Sequence, residues 1–268
     1  KKYPKYPSWE AIEKENQEAK PAVYVEITDA TGEVINRVPG KVTKGLHRVT
    51  WDMTFSRVSA ITGKKMSPYH PMSRGVMVAP GTYKATLYKR VNGQISQLAD
   101  PVDVTLESIY QGALAGGSAK DVEKFGKDII AAERRSSAMA ATLSGLSKTM
   151  KSIRTALDRT PGNIASMESQ FADIQKELNA INFELYGLES RNRKGAKPSS
   201  ISSRLSYALS SVGSSYGPTQ QHREQFGYAI EGLDNVTKRI NALQKDAVSQ
   251  LQKAIFDAGG PWTKGTSL

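Results

Sequence analysis

The sequence predicts a multidomain chain, all-β and then all-α: an Ig- or fibronectin-III-like β-sandwich, then an antiparallel, coiled-coil-like three-helix bundle with one interrupted helix. Three observations predict it. Apolar residues recur at every second position in stretches between Ala22 and Leu106, and at alternating steps of three and four from Val122 onward. Gly-, Pro- and Asn-containing turn signals punctuate the first part. Breaks at Thr160-Pro161-Gly162-Asn163 and Gly213-Ser214-Ser215-Tyr216-Gly217-Pro218 cut the second part into stretches of matching length. The expected segments are a lead-in at 1–21, the sandwich at 22–107, a linker at 108–117, the bundle at 118–258 and a tail at 259–268.

In the lead-in, Pro4 and Pro7 bias the chain towards extended structure. Ser8 is placed to cap a short helix from Trp9 to about Ala19, which Pro21 closes. With Trp9 and two tyrosines, this segment is expected to pack on something, either the β domain or an upstream domain. Val23, Val25 and Ile27 alternate with polar neighbours as a half-buried strand. Asp29-Ala30-Thr31-Gly32 is a turn, and Val34 to Val38 returns as a second strand that Pro39-Gly40 breaks. Gly45 to Asp52 reads as a third strand with Leu46, Val49 and Trp51 in the core and His47 and Arg48 facing water. Residues 53–75 have no period, so a loop this long is either functional or draped over a neighbour. Pro80-Gly81 suits a type II turn. Tyr83 to Tyr88 alternates again, and Asn92-Gly93 is a strong hairpin signal. Gln94 to Ala99 and Val102 to Leu106 bring the count to about seven short strands, as a sandwich requires.

Ser118 caps the first long helix, with the stripe Val122, Phe125, Ile129, Ala132, Ser136, Met139, Leu143, Leu146, Met150, Ile153 and Leu157. Ser136 is the polar mismatch, explained by a hydroxyl bonded to the preceding turn. Thr160 or Asn163 caps the second helix, with Ile164, Met167, Phe171, Ile174, Leu178, Ile181, Leu185 and Leu188. Arg191 to Pro198 interrupts it, and Ser200 to Val212 resumes with Ile201, Leu205, Ala208 and Val212. The third stripe is Phe226, Ala229, Leu233, Val236, Ile240, Leu243, Ala247, Leu251 and Ala254, ending at Gly259-Gly260-Pro261. Stripes this long bury themselves only against one another, so the bundle is expected to fold without ligand or metal.

Composition narrows the function classes. The chain has 268 residues, no cysteine and three histidines. Disulfides, thiolate metal sites and a cysteine nucleophile are therefore excluded. The formal net charge of +11 spreads over both halves, which fits a solvated basic surface better than a nucleic-acid site. No apolar run is long enough for a membrane span. His47, His70 and His222 lack partners at ligand spacing, and no GxSxG, Walker-type or GxGxxG pattern occurs. The reading is therefore no enzyme, no cofactor, no metal and no catalytic residue. The residues expected to meet a partner are Arg57, Tyr69 and His70 in the long loop and Trp262 in the tail. Tyr3, Tyr6, Trp9 and Tyr69 are of the type that stacks on sugar rings, but they are scattered, so a glycan is the second partner class. The chain begins Lys1-Lys2-Tyr3 without Met or an apolar leader, and is expected to be a processed product or a piece of something longer.

Three pieces follow one another in order: Asp29-Ala30-Thr31-Gly32-Glu33-Val34, Lys44-Gly45-Leu46-His47-Arg48-Val49-Thr50-Trp51-Asp52, and Val78-Ala79-Pro80-Gly81-Thr82-Tyr83-Lys84-Ala85. Together they resemble the module that closes large secreted bacterial proteins with sortilin-like, BNR-repeat β-propellers, often labelled glycosyl hydrolase. That module is itself similar to the Ig-like domain of flagellar-hook capping proteins. A helical bundle follows the sandwich in that family, and Pro218-Thr219 before Gln225-Phe226 is similar to its last helix start. The resemblance covers most of residues 22–258. It implies a propeller as the N-terminal partner, with any hydrolase site in that propeller and not here. It also implies a secreted or cell-surface location. The expected role is non-catalytic, docking on the propeller and presenting the bundle to a partner. The alternatives are a free-standing adaptor subunit of a cell-surface complex, or an accessory glycan-binding fragment of a glycoside hydrolase.

Overall fold

The computed structural model describes residues 6–56, 60–61, 75–109, 116–187 and 199–266. It is mixed α and β, a small antiparallel sheet of five strands plus several helices. The chain divides into two compact units, Lys1–Ser56 with Met77–Gln111 and Arg57–Val76 with Gly112–Leu268.

In the first unit, β1 (Ala22–Thr28), β2 (Val34–Gly40), β3 (Gly81–Val91) and β4 (Gln94–Gln97) pair in the order β2-β1-β3-β4, and β5 (Val102–Leu106) also pairs with β3. The length of β3 allows this: Gly81–Ala85 pairs with β5 and Tyr88–Val91 with β4. The predicted Asp29 turn forms, its carboxylate accepting from the N–H of Thr31 and of Glu33, both at 2.9 Å, with Gly32 at φ 86°. Asn92 and Gly93 take φ 52° and 75°, the left-handed pair of a type I′ hairpin.

Three expectations for this unit are corrected. β2 runs through Pro39 to Gly40, with Pro39 opposite Tyr24. The strand lies at the sheet edge, where a residue without N–H costs no ladder bond. Gly81 has no positive φ, so Pro80-Gly81 is not a type II turn and Gly81 opens β3 directly. Residues 45–52 carry no strand, and Leu46 is fully exposed at 102%. Left-handed bends at Gly45 (φ 124°) and Met53 (φ 59°) bracket the segment, and a ladder does not continue through such a conformation. The described strands form one sheet. The pairing outside that sheet, among the described residues, is the antiparallel bridge of Thr54 with Met77.

Side chains still cover one face of the sheet unit. Ile27, Ile35, Phe55, Val78, Ala79 and Tyr83 are buried. Trp51 meets Tyr83 edge-on at 5.5 Å and donates its indole N–H to the Thr54 carbonyl at 3.0 Å. Tyr83 donates its hydroxyl to the Ala79 carbonyl at 2.6 Å. α1 (Trp9–Gln17) is capped by Ser8, as predicted, but buries no residue, and Trp9 is 83% exposed. A nine-residue helix with few large apolar side chains has no stripe to bury.

The second unit contains α2 (Ala119–Leu157), α3 (Ala165–Tyr186), α4 (Ile201–Ser210), α5 (Gln220–Ala242) and α6 (Val248–Asp257). At 39 residues and ~1.5 Å per residue, α2 is about 58 Å long. Ser118, Ser200 and Thr219 cap their helices through side-chain oxygens. At α3 the cap position is Ile164, without a side-chain bond, while Asn163 accepts from the Ala165 N–H and Thr160 bonds back to Ala156. One apolar cluster joins all five helices, from Ala132 and Met139 through Leu178, Leu205 and Leu233 to Ile255. Ala60 and Val76, both of the second unit, lie on α2. Ala60 donates its N–H to Ser137 Oγ at 2.6 Å, and Val76 sits against Gly126, where a Cβ would come within 2.4 Å of the valine methyl.

The α2 and α3 stripes bury as predicted over most of their length. The last stripe does not. It follows Ala229, Leu233, Val236, Ile240 and Leu243, and then buries Val248, Leu251, Gln252 and Ile255 instead of Ala247 and Ala254. A single π turn at Leu243–Ala247 causes the change. Its wider i→i+5 step carries Val248 to the place that Ala247 would otherwise occupy.

Candidate functional site

The chain after α6 folds back on the helices as a clasp. Ala258 and Gly259 end α6 in a Schellman motif: Gly259 N–H bonds to Phe256 O at 3.0 Å and Gly260 N–H to Ile255 O at 2.9 Å, with Gly259 at φ 82°. Glycine is required at position 260, where a Cβ would lie 2.4 Å from Thr160 Oγ1 and 2.8 Å from Ile255 O. Pro261 then directs the chain away from the helix.

Gln252 of α6, only 4% exposed, holds the returning loop. Its amide Nε2 donates to Thr263 Oγ1 at 2.9 Å and to the Lys264 carbonyl at 3.0 Å. Thr263 and Thr266 are also buried, their hydroxyls 3.1 Å apart. Trp262 donates its indole N–H to the Thr266 carbonyl at 3.1 Å, which fixes the ring, yet the residue remains 51% exposed. Between this loop and the C-terminal end of α2 opens a cleft of about 310 Å³, lined by Ser152, Thr155, Arg159, Trp262 and Lys264 among others.

Arg159 and Lys264 have no ion pair among the described residues. Three arginines of the helices are paired with carboxylates. Arg154 bonds Glu168 and Asp158, and the Glu168 bond is the larger cause of its raised pKa; the same bond lowers that of Glu168. Arg239 joins Glu177 at 2.6 Å and also Glu184; the Glu177 bond leads in raising its pKa. Arg135 joins Asp234.

Of the four residues expected to meet a partner, Trp262 lines this cleft. Arg57, Tyr69 and His70 lie outside the described residues. His47 bonds the Thr43 carbonyl at 2.6 Å. His222 is half-buried and structural. Its ring closes a capping box with Thr219 and stacks on Tyr207 of α4, centroids 4.6 Å apart. Sequence reasoning missed Gln252, Thr263 and Thr266, because polar residues at a helix end read as solvated. The available signal was Gln252 beside Leu251 on a stripe already shifted by one position. No group of three or more metal-ligating side chains occurs among the described residues, and none of their helices is long and apolar enough to cross a membrane.

Comparison with protein-family models, with curated proteins and with solved structures yields no match.

Proposed function

We propose that this chain is a non-catalytic structural and interaction region of a secreted or cell-surface bacterial β-propeller protein. An Ig-like module, its second sheet reduced to the Thr54–Met77 bridge, docks on the propeller. An antiparallel three-helix bundle, its second rod made of α3 and α4, presents a rigid surface to a partner protein. One observation carries the reading: ion pairs join helix to helix on three sides of the helical unit. Arg154 ties α2 to α3, Arg239 ties α5 to α3, and Arg135 ties α2 to α5. Buried side-chain polar atoms of the described residues all have partners, which supports a scaffold rather than a strained reactive site. Tyr6 and Trp9, both largely exposed, offer the docking contact.

The test is the native polypeptide detected with an antibody to this chain. The expected result is a species longer than 29.2 kDa by at least a propeller, accessible to protease added outside intact cells. A free species of 29.2 kDa at the surface would favour the adaptor alternative, and an intracellular species would end both. Polysaccharide hydrolysis that is lost on changing one carboxylate of this chain would overturn the non-catalytic assignment.

A further inference from the structure

We infer that the cleft between the end of α2 and the C-terminal clasp binds an anionic saccharide, with a uronic-acid ring stacked on Trp262 and its carboxylate read by Arg159 and Lys264. The inference is independent of the propeller reading, since it uses only the helical unit.

The first support is the platform. A half-exposed indole on a free tail would swing between rotamers and lose that freedom on binding. Here the indole N–H is already committed to the Thr266 carbonyl, and the loop beneath it is held by buried Gln252. Such a plate is preorganised, so little side-chain entropy is lost when a ring settles on it. An amide placed in an apolar core is unfavourable unless bonded, and Gln252 donates two side-chain bonds to the clasp. The loop is thus built to stay closed over the cleft wall.

The second support is charge. Arg159 and Lys264 have no ion pair among the described residues, so no carboxylate offsets their charge, whereas Arg135, Arg154 and Arg239 are each bound to one. The C-terminal end of α2 contributes only about half a negative charge, which two full positive charges outweigh. An anion is therefore favoured in the cleft.

The cleft wall also offers acceptors for the hydroxyls of a sugar. Ser152 and Thr155 donate their hydroxyl hydrogens back to the Lys148 and Lys151 carbonyls, at 3.4 and 3.2 Å. Their oxygens keep free lone pairs and so act as acceptors at the cleft wall. A ring with C–H groups on one face and O–H donors around its rim matches an aromatic plate flanked by acceptors. A cleft of about 310 Å³ is at the small end of ligand sites, with room for one or two such rings.

The experiment titrates the full chain at physiological salt with trigalacturonate and trimannuronate, by calorimetry, against the methyl ester of each. The expected result is saturable binding of at least one acid, with its uncharged ester at least ~10-fold weaker, as loss of a charge-assisted hydrogen bond requires. Trp262→Ala should abolish the heat signal. Because that variant could loosen the clasp, Arg159→Gln is the second test: about 10-fold weaker binding with an unchanged unfolding midpoint. Equal binding of acid and ester, unaltered affinity in Arg159→Gln, or absence of binding by both acids at millimolar concentration would each overturn the inference. Competition by polyglutamate as effective as by the acids would reassign the cleft to acidic peptides and overturn it too.

Discussion

The π turn at Leu243–Ala247 makes a sharp claim about two neighbouring residues. Downstream of it, Ile255 is in the core, at 0% exposure, and Ala254 is not. An uninterrupted seam from Leu243 would place Ala254 inside. Replacing Ile255 by Ala removes three buried carbons, which at ~0.8 kcal/mol each gives ~2.4 kcal/mol of lost transfer free energy. The cavity left in the shared apolar cluster adds to this, so the expected loss is about 3–4 kcal/mol. Replacing Ala254 by Ser adds a hydroxyl at a half-buried site and should cost below ~1 kcal/mol, mostly helix propensity. Urea unfolding followed by circular dichroism at 222 nm reads both. Ala254→Ser costing as much as Ile255→Ala would refute the shifted seam.

Other expectations follow from single contacts. Gln252→Ala removes two hydrogen bonds of roughly 1 kcal/mol each and should lower stability by ~2 kcal/mol; the same variant should shift Trp262 emission to the red as the clasp opens. Gly126→Ala gains ~1 kcal/mol of helix propensity but drives a Cβ to 2.4 Å from Val76 Cγ1, so a net loss of about 1–2 kcal/mol is expected in thermal unfolding. The Glu168 carboxylate, bonded by Arg154, has a folded pKa below its ordinary 4.5. Its contribution is present above pH 4.5 and is lost as pH falls through the lowered value. The difference in Tm between wild type and Glu168→Gln should therefore shrink on acidification, and a constant difference would contradict the pairing.

Much of the helical unit was legible because burial there follows a simple period. Ile129, Ile153, Leu178 and Leu233 sit where steps of three and four place them, and Ser118, Ser200 and Thr219 cap through short-range bonds that a local sequence announces. The Val248 register was hidden because one five-residue step looks like noise in that template, although Val248, Leu251 and Ile255 themselves keep the helical spacing. The sheet hairpins were legible from Asp29 and Asn92-Gly93. Leu46 was not, since left-handed bends at Gly45 and Met53 depend on what the flanking chain pairs with. At the candidate site only Trp262 stood out. The residues that fix it, Gln252, Thr263 and Thr266, are polar, and their burial arises from the tail's return to α6, a contact without periodicity.

One apolar core is shared by α2, α3, α4, α5 and α6. Residue-resolved hydrogen exchange under native conditions tests this most directly. Amides in the central turns around Ile153, Leu178, Leu205 and Leu233 should exchange with a single common free energy, the global one, unchanged by a chelator. Exchange of any one of these helices at a free energy several kcal/mol below the others would contradict a shared core.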